Sequence, residues 1–146
     1  MKKFIFFLLG LILGMAIVWG IAISMQCNTE TTPAKPTQLT TQSITVTRPI
    51  ANEEISPPIS IEGTAKGTWF FEAVAPVKIV DEKGLELGSG SLQAMGDWMT
   101  EDFVPFKGKI SFDKKTSKTG FLIFEKSNPS GLKENAEEFK LPVNFQ

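Results

Sequence analysis

The 146-residue chain contains no histidine. Catalytic groupings that pass a proton through imidazole, such as Ser-His-Asp or Cys-His, are therefore excluded, as is every His-ligated metal site. A single cysteine, Cys27, permits neither an intrachain disulfide nor a thiolate cage around a metal. Fifteen Lys and Arg stand against sixteen Asp and Glu, so there is no basic excess to neutralise phosphates, and nucleic acid is not an expected partner. Tyrosine is missing too, which leaves the aromatic content to 12 Phe and 3 Trp. These absences predict a protein with no catalytic residues, no cofactor and no metal.

What is present is unevenly spread. From Phe4 to Met25 run 22 residues without a charge, preceded by Lys2 and Lys3. As a helix rising about 1.5 Å per residue this run is roughly 33 Å long, enough for the ~30 Å hydrocarbon core of a bilayer. The two lysines favour a cytoplasmic N-terminus. Residues 1–27 therefore read as a cytoplasmic start and a transmembrane signal anchor, which places the rest of the chain outside the cytoplasmic membrane. The alternative is a cleaved signal peptide and a secreted protein, for which Ala22-Ile23-Ser24 supplies a small-x-small site near Ser24. Cys27 follows the bulky Gln26, which does not suit a lipidation site; a free or palmitoylated thiol and an intermolecular disulfide both stay open. Gly10 and Gly14 form a G-x-x-x-G within the apolar run, a spacing that suits close helix pairing but that membrane helices also simply tolerate.

Residues 28–42 hold six Thr and two Pro with one aliphatic side chain, Leu39. Such a segment buries too little apolar area to offset its ordering entropy and reads as a linker. Residues 43–146 then form a domain with 12 basic and 15 acidic side chains, a net charge of 12 − 15 = −3. Its periodicity is two. Ile44 and Val46 alternate with threonines, Ile59 and Ile61 with Ser60 and Glu62, and Phe106 and Ile110 with Lys107 and Lys109. Phe71, Ala73, Ala75, Val77 and Ile79 share one parity, as do Phe139, Leu141, Val143 and Phe145. Alternation of this kind predicts strands with one buried face. Phe121-Leu122-Ile123-Phe124 is apolar throughout, as in a strand covered on both sides. Asp81-Glu82-Lys83-Gly84 and Asn128-Pro129-Ser130-Gly131 read as turns, and Pro76, Pro105 and Pro142 as markers of sheet edges or bulges. The expected fold is all-β: an Ig-like antiparallel β-sandwich of about seven strands in two stacked sheets.

The order of residues also resembles a known family. Ile44, Val46 and Pro49 are followed by Ser56-Pro57, Ile59, Ile61, Gly63 and Ala65, then Phe71-Glu72, Val77, Asp81 and Gly84. Phe103, Phe112, Gly120, Leu122, Ser127, Gly131 and Pro142-Val143 complete the set. This ordered pattern resembles the bacterial spore germination immunoglobulin-like domain family over residues 43–146. The resemblance implies an Ig-like sandwich on an extracytoplasmic protein of the cell envelope, with no catalytic residue to carry over and no necessary tie to sporulation.

Several short motifs invite chemistry and do not sustain it. Ser111-x-x-Lys114 and Lys118-Thr119-Gly120 match penicillin-binding motifs, but they sit side by side in a domain too small for the cleft that the chemistry needs. Gly88-Ser89-Gly90-Ser91 lacks the ending of a phosphate loop and reads as a flexible connection. Asp97, Glu101 and Asp102 lack EF-hand spacing and read as a solvated acidic loop. The candidate binding residues are Trp69, Trp98 and Met95, in or beside expected loops, where they would meet a protein partner or stack on a cell-wall glycan; burial of the tryptophans at the ends of the core is the competing structural reading. The sequence thus predicts a non-enzymatic, membrane-anchored binding module that recognises a protein partner, with glycan binding as the alternative.

Overall fold

The computed structural model describes residues 43–146. The expected membrane anchor, its Gly10 and Gly14, Cys27 and the linker lie outside the described residues. Among the described residues no helix is long and apolar enough to cross a membrane.

Eight strands form, against about seven expected: β1 (Ile44–Arg48), β2 (Glu54–Ile55), β3 (Ile59–Lys66), β4 (Val74–Asp81), β5 (Glu86–Ala94), β6 (Phe103–Ile110), β7 (Thr119–Glu125) and β8 (Glu138–Phe145), of which β2 and β5 fall where no alternation marks a strand. Two single 3₁₀ turns, Gly67–Trp69 and Lys133–Asn135, complete the described structure. The strands hydrogen-bond in the order β1-β3-β6-β5-β4-β7-β8-β2, all antiparallel except the parallel pair of β2 with β8. The all-β expectation therefore holds, but in place of two separate sheets there is one continuous ladder. It curls on itself, because the inward side chains of its strands meet in a single buried cluster.

The ladder is continuous through a narrow seam. β5 and β6 share three residue pairs, Leu92 with Gly108, Gln93 with Lys107 and Ala94 with Phe106. Gly108 makes the seam possible, since a Cβ there would lie 2.9 Å from Leu92 Cδ2 and 3.1 Å from the Ser91 carbonyl. Beyond the seam the chain crosses closely over β5, where a Cβ on Gly88 would meet the Ser111 carbonyl at 2.5 Å. Gly88-Ser89-Gly90-Ser91 is thus the interior of a strand and not a flexible connection. Its glycines leave room on the inward face for the stretch from Ile110 to Phe112. An extra residue in β5, Leu87, between the pairs Ile79–Gly88 and Val80–Glu86, switches parity so that Leu87 and Leu92 both point inward.

The prolines sit where ladders stop. Pro76 lies just outside the β4–β7 pairing, which begins at Val77, and Pro105 just outside the β5–β6 pairing, which ends at Phe106. Neither therefore removes a ladder hydrogen bond, although β4 and β6 are interior strands. The turns behave as their composition requires. Gly84 (φ 83°) donates to the Asp81 carbonyl at 3.0 Å, and Gly131 (φ 66°) to that of Asn128 at 3.1 Å.

Two expectations about faces are corrected. In β7, Leu122 and Phe124 enter the core while Phe121 points outward and is exposed. Ile123 is buried outside the core cluster and without a second layer, and its ladder neighbours are Lys78 and Lys140, residues whose long aliphatic stems can shield an apolar neighbour. The buried parity of β4 begins at Ala75, not at Phe71, because the chain reverses between Phe71 and Val74.

Candidate functional site

One end of the domain is built from two connections, Gly67 to Ala73 between β3 and β4 and Met95 to Asp102 between β5 and β6. They are locked together. The Gly67 amide donates to the Asp102 carbonyl at 2.9 Å, and the longer connection is closed at its base by the Met95 amide donating to the Pro105 carbonyl of β6 at 2.8 Å. A Cβ on Gly67 would stand 2.3 Å from the carbonyls of both Trp98 and Thr100, so the longer loop crosses Gly67 at a distance that no other residue allows. Inside that loop the Asp97 carboxylate accepts from the Met99 amide at 3.0 Å and the Thr100 hydroxyl from the Asp102 amide at 3.2 Å. These local bonds fold the loop into a fixed shape. The role of Asp97 is that of a turn-former.

The shorter connection carries backbone strain. Phe71 and Val74 exchange amide–carbonyl bonds of 3.0 and 3.1 Å around Glu72 (φ 51°) and Ala73 (φ 64°). Positive φ at both central residues is the signature of a type I′ turn, which ordinarily takes Asn-Gly. Two consecutive residues with side chains in the left-handed region are held there from outside. The Ala73 carbonyl receives both the Ala94 amide at 2.8 Å and Gln93 Nε2 at 3.2 Å, which pin the turn to β5.

This braced frame displays apolar side chains to solvent. Met99 is 77% exposed and Phe71 45%, and Met95 and Phe103 are exposed as well. Trp98 is half-buried, packed on the core on one side and met edge-on by Phe71 on the other, with ring centroids 6.5 Å apart. Between the two connections opens a recess of about 400 Å³, walled by Phe70, Trp98 and Met99 and floored by Gly67. Four carboxylates lie on these connections, Glu72, Asp97, Glu101 and Asp102. The ion pairs among the described residues, Lys78–Glu125, Lys107–Glu62 and Lys140–Glu138, all lie elsewhere.

Of the residues singled out in the sequence, Met95 and Trp98 fall on this surface. Trp69 does not: at 1% exposed it is a core residue, held by its carbonyl to the Ser127 amide at 2.9 Å, and it offers no ring face to a partner. Its Nε1 is buried without a hydrogen-bond partner among the described residues. Phe71, Met99 and Phe103 were not candidates on sequence grounds. Phe71 alternates like a strand residue, and only the turn at Glu72–Ala73 turns it outward. Ser111 and the Lys118–Gly120 motif flank the β6–β7 connection at the opposite end of the strands, where Gly120 packs beneath the Phe145 ring.

The point at which residues 1–42 join the domain is at the same end. The Ser43 carbonyl accepts the Lys66 amide at 2.9 Å, one residue before Gly67. A family model described as the immunoglobulin-like domain of bacterial spore germination matches residues 43–131, a stretch that contains every part of this surface. Neither a curated protein nor a solved structure matches the chain.

Proposed function

The chain belongs to the family of immunoglobulin-like domains of bacterial spore germination, and from that premise we propose that it is a non-enzymatic recognition module of the cell envelope that binds a protein partner through the Gly67–Ala73 and Met95–Phe103 end. The anchor reading of residues 4–25 holds it to the outer side of the cytoplasmic membrane. The observation that carries the proposal is the set of exposed Phe71, Met95, Met99 and Phe103 side chains around Trp98, displayed by connections that Gly67 and the Ala73 carbonyl fix in place. Rigid, solvent-facing aromatic and Met side chains are characteristic of protein interfaces, where desolvation of a few large groups supplies most of the binding energy. Burial of Trp69 weakens the glycan reading, which relied on two tryptophan faces.

The test is a photo-reactive amino acid placed at Met99 in the full chain in living cells, with Lys109 on β6 as the control position. A discrete protein adduct formed from position 99 and not from 109 is the expected result. Retention on purified peptidoglycan that is lost in Trp98→Phe, with no protein adduct, would instead establish glycan binding.

A further inference from the structure

We propose that the partner segment seated on this end is a cationic peptide with an apolar anchor: an aromatic or aliphatic side chain fills the Phe70–Trp98 recess while flanking Lys or Arg side chains pair with Glu72, Glu101 and Asp102. The inference rests on the reading of the domain as a protein-recognition module and specifies the chemistry of what it recognises.

The two connections carry four carboxylates and no basic side chain of their own; Lys66, at the end of β3, and Lys126, beside the Ser127 whose amide bonds the Trp69 carbonyl, adjoin them. Asp97 is occupied with the Met99 amide, but no ion pair or side-chain hydrogen bond engages the carboxylates of Glu72, Glu101 or Asp102 among the described residues. The ion pairs among the described residues, Lys78 with Glu125, Lys107 with Glu62 and Lys140 with Glu138, leave this end untouched. An end that keeps its carboxylates unpaired around an apolar recess repels anionic polymers and anionic lipid headgroups, and it attracts cations that bring apolar surface with them.

Geometry narrows the form of the ligand. The recess is open and about 400 Å³, room for one large side chain and not for a folded domain. Its walls combine the Trp98 ring with the Met99 thioether, a polarisable and adaptable pair that suits an aromatic or branched aliphatic anchor. Glu101 lines the recess itself and Glu72 sits on the strained turn that carries Phe71, whose ring meets Trp98, so the two connections each offer a carboxylate to cations that flank an anchor.

The experiment uses the full chain in nanodiscs of phosphatidylcholine and three labelled peptides of equal length, read by fluorescence anisotropy. The first alternates Lys with Leu around a central Trp, the second replaces Lys by Glu, and the third keeps Lys but replaces the apolar residues by Ser. The expected result is that the first binds best and weakens as salt rises, and that Glu72→Lys/Glu101→Lys weakens it by about tenfold or more and shifts preference to the second. Met99→Ser/Phe71→Ser should weaken the first peptide by a similar factor without moving the unfolding midpoint, which keeps loss of fold apart from loss of site. Equal binding of the Lys and Glu peptides overturns the cationic partner and leaves protein recognition standing. Failure of all three peptides overturns the proposal, and if peptidoglycan is then retained in a Trp98-dependent way, the protein-recognition reading falls with it.

Discussion

Gly67 lies directly beneath the Trp98 carbonyl, so close that a single added methyl group would stand 2.3 Å from that oxygen. The relationship couples two connections that are far apart in the chain and makes the position of the exposed surface depend on one missing side chain. Gly67→Ala should displace the Met95–Asp102 loop and cost about 1–3 kcal/mol, as overpacking does elsewhere. Urea denaturation together with the Trp emission maximum checks this, and an unchanged spectrum at unchanged stability would show that the loop yields freely.

The Glu72–Ala73 turn predicts the opposite sign. Ala73→Gly relieves a left-handed φ at the expense of a more flexible unfolded chain, for a net gain of up to about 1 kcal/mol. Thermal unfolding is the measurement. A loss of stability would mean that the turn is not strained.

The two faces of β7 should respond unequally. Leu122→Ala, deep in the core, is expected to cost about 2–5 kcal/mol. Phe121→Ala on the exposed face should stay below about 1 kcal/mol. Equal costs, from denaturant midpoints at a common slope, would contradict a sheet curled around one core.

Asp81 supplies a dependence on pH. Its carboxylate accepts the Leu85 amide at 2.8 Å, the Lys83 amide at 2.9 Å and the Ser117 hydroxyl at 3.4 Å. Bonding from Leu85 is the main cause that holds its pKa below the ordinary carboxylate value, with Lys83 and Ser117 assisting and burial opposing. The folded state therefore binds the proton more weakly than the unfolded chain. Its contribution is present above the ordinary carboxylate value and is lost as pH falls below about 4. Asp81→Asn should be less stable than the wild type near neutral pH, and the gap should close on acidification. A gap that is constant with pH would remove Asp81 from the acid transition.

Much of this was written in the sequence because one-sided burial leaves a period of two. Ile44 and Val46, Ile59 and Ile61, and Leu141 and Val143 all point inward as their alternation requires. The errors fell where one local signal serves two structures. Gly88 and Gly90 look the same in a loop and in a strand crossed closely by another, and only the distance to the Ser111 carbonyl distinguishes them. Phe71 and Ala75 share a parity although a reversal separates them, since Glu72-Ala73 carries none of the usual marks of a type I′ turn. The joining of the strands into one ladder depends on the three pairs of the β5–β6 seam, a non-local event with no local trace. The candidate surface was legible to the same extent. Met95 and Trp98 could be named because they stand in a loop, but Trp69 has the same local surroundings and is buried.

The bond from Lys66 to the Ser43 carbonyl has a mechanical consequence. Because β1 runs antiparallel to β3, its first residue and the last residue of β3 share one end of the ladder, next to the Gly67–Ala73 connection. If, as proposed, the chain is tethered ahead of Ser43 and a partner is held at Phe71 and Met99, a pull between the two would enter and leave the domain at that end. Such a load opens the β1–β3 pairing like a zipper, one residue pair after another, and leaves the remaining strands unstressed. The domain would then yield first at its outermost strand, while the body that carries Phe71 and Met99 keeps its shape.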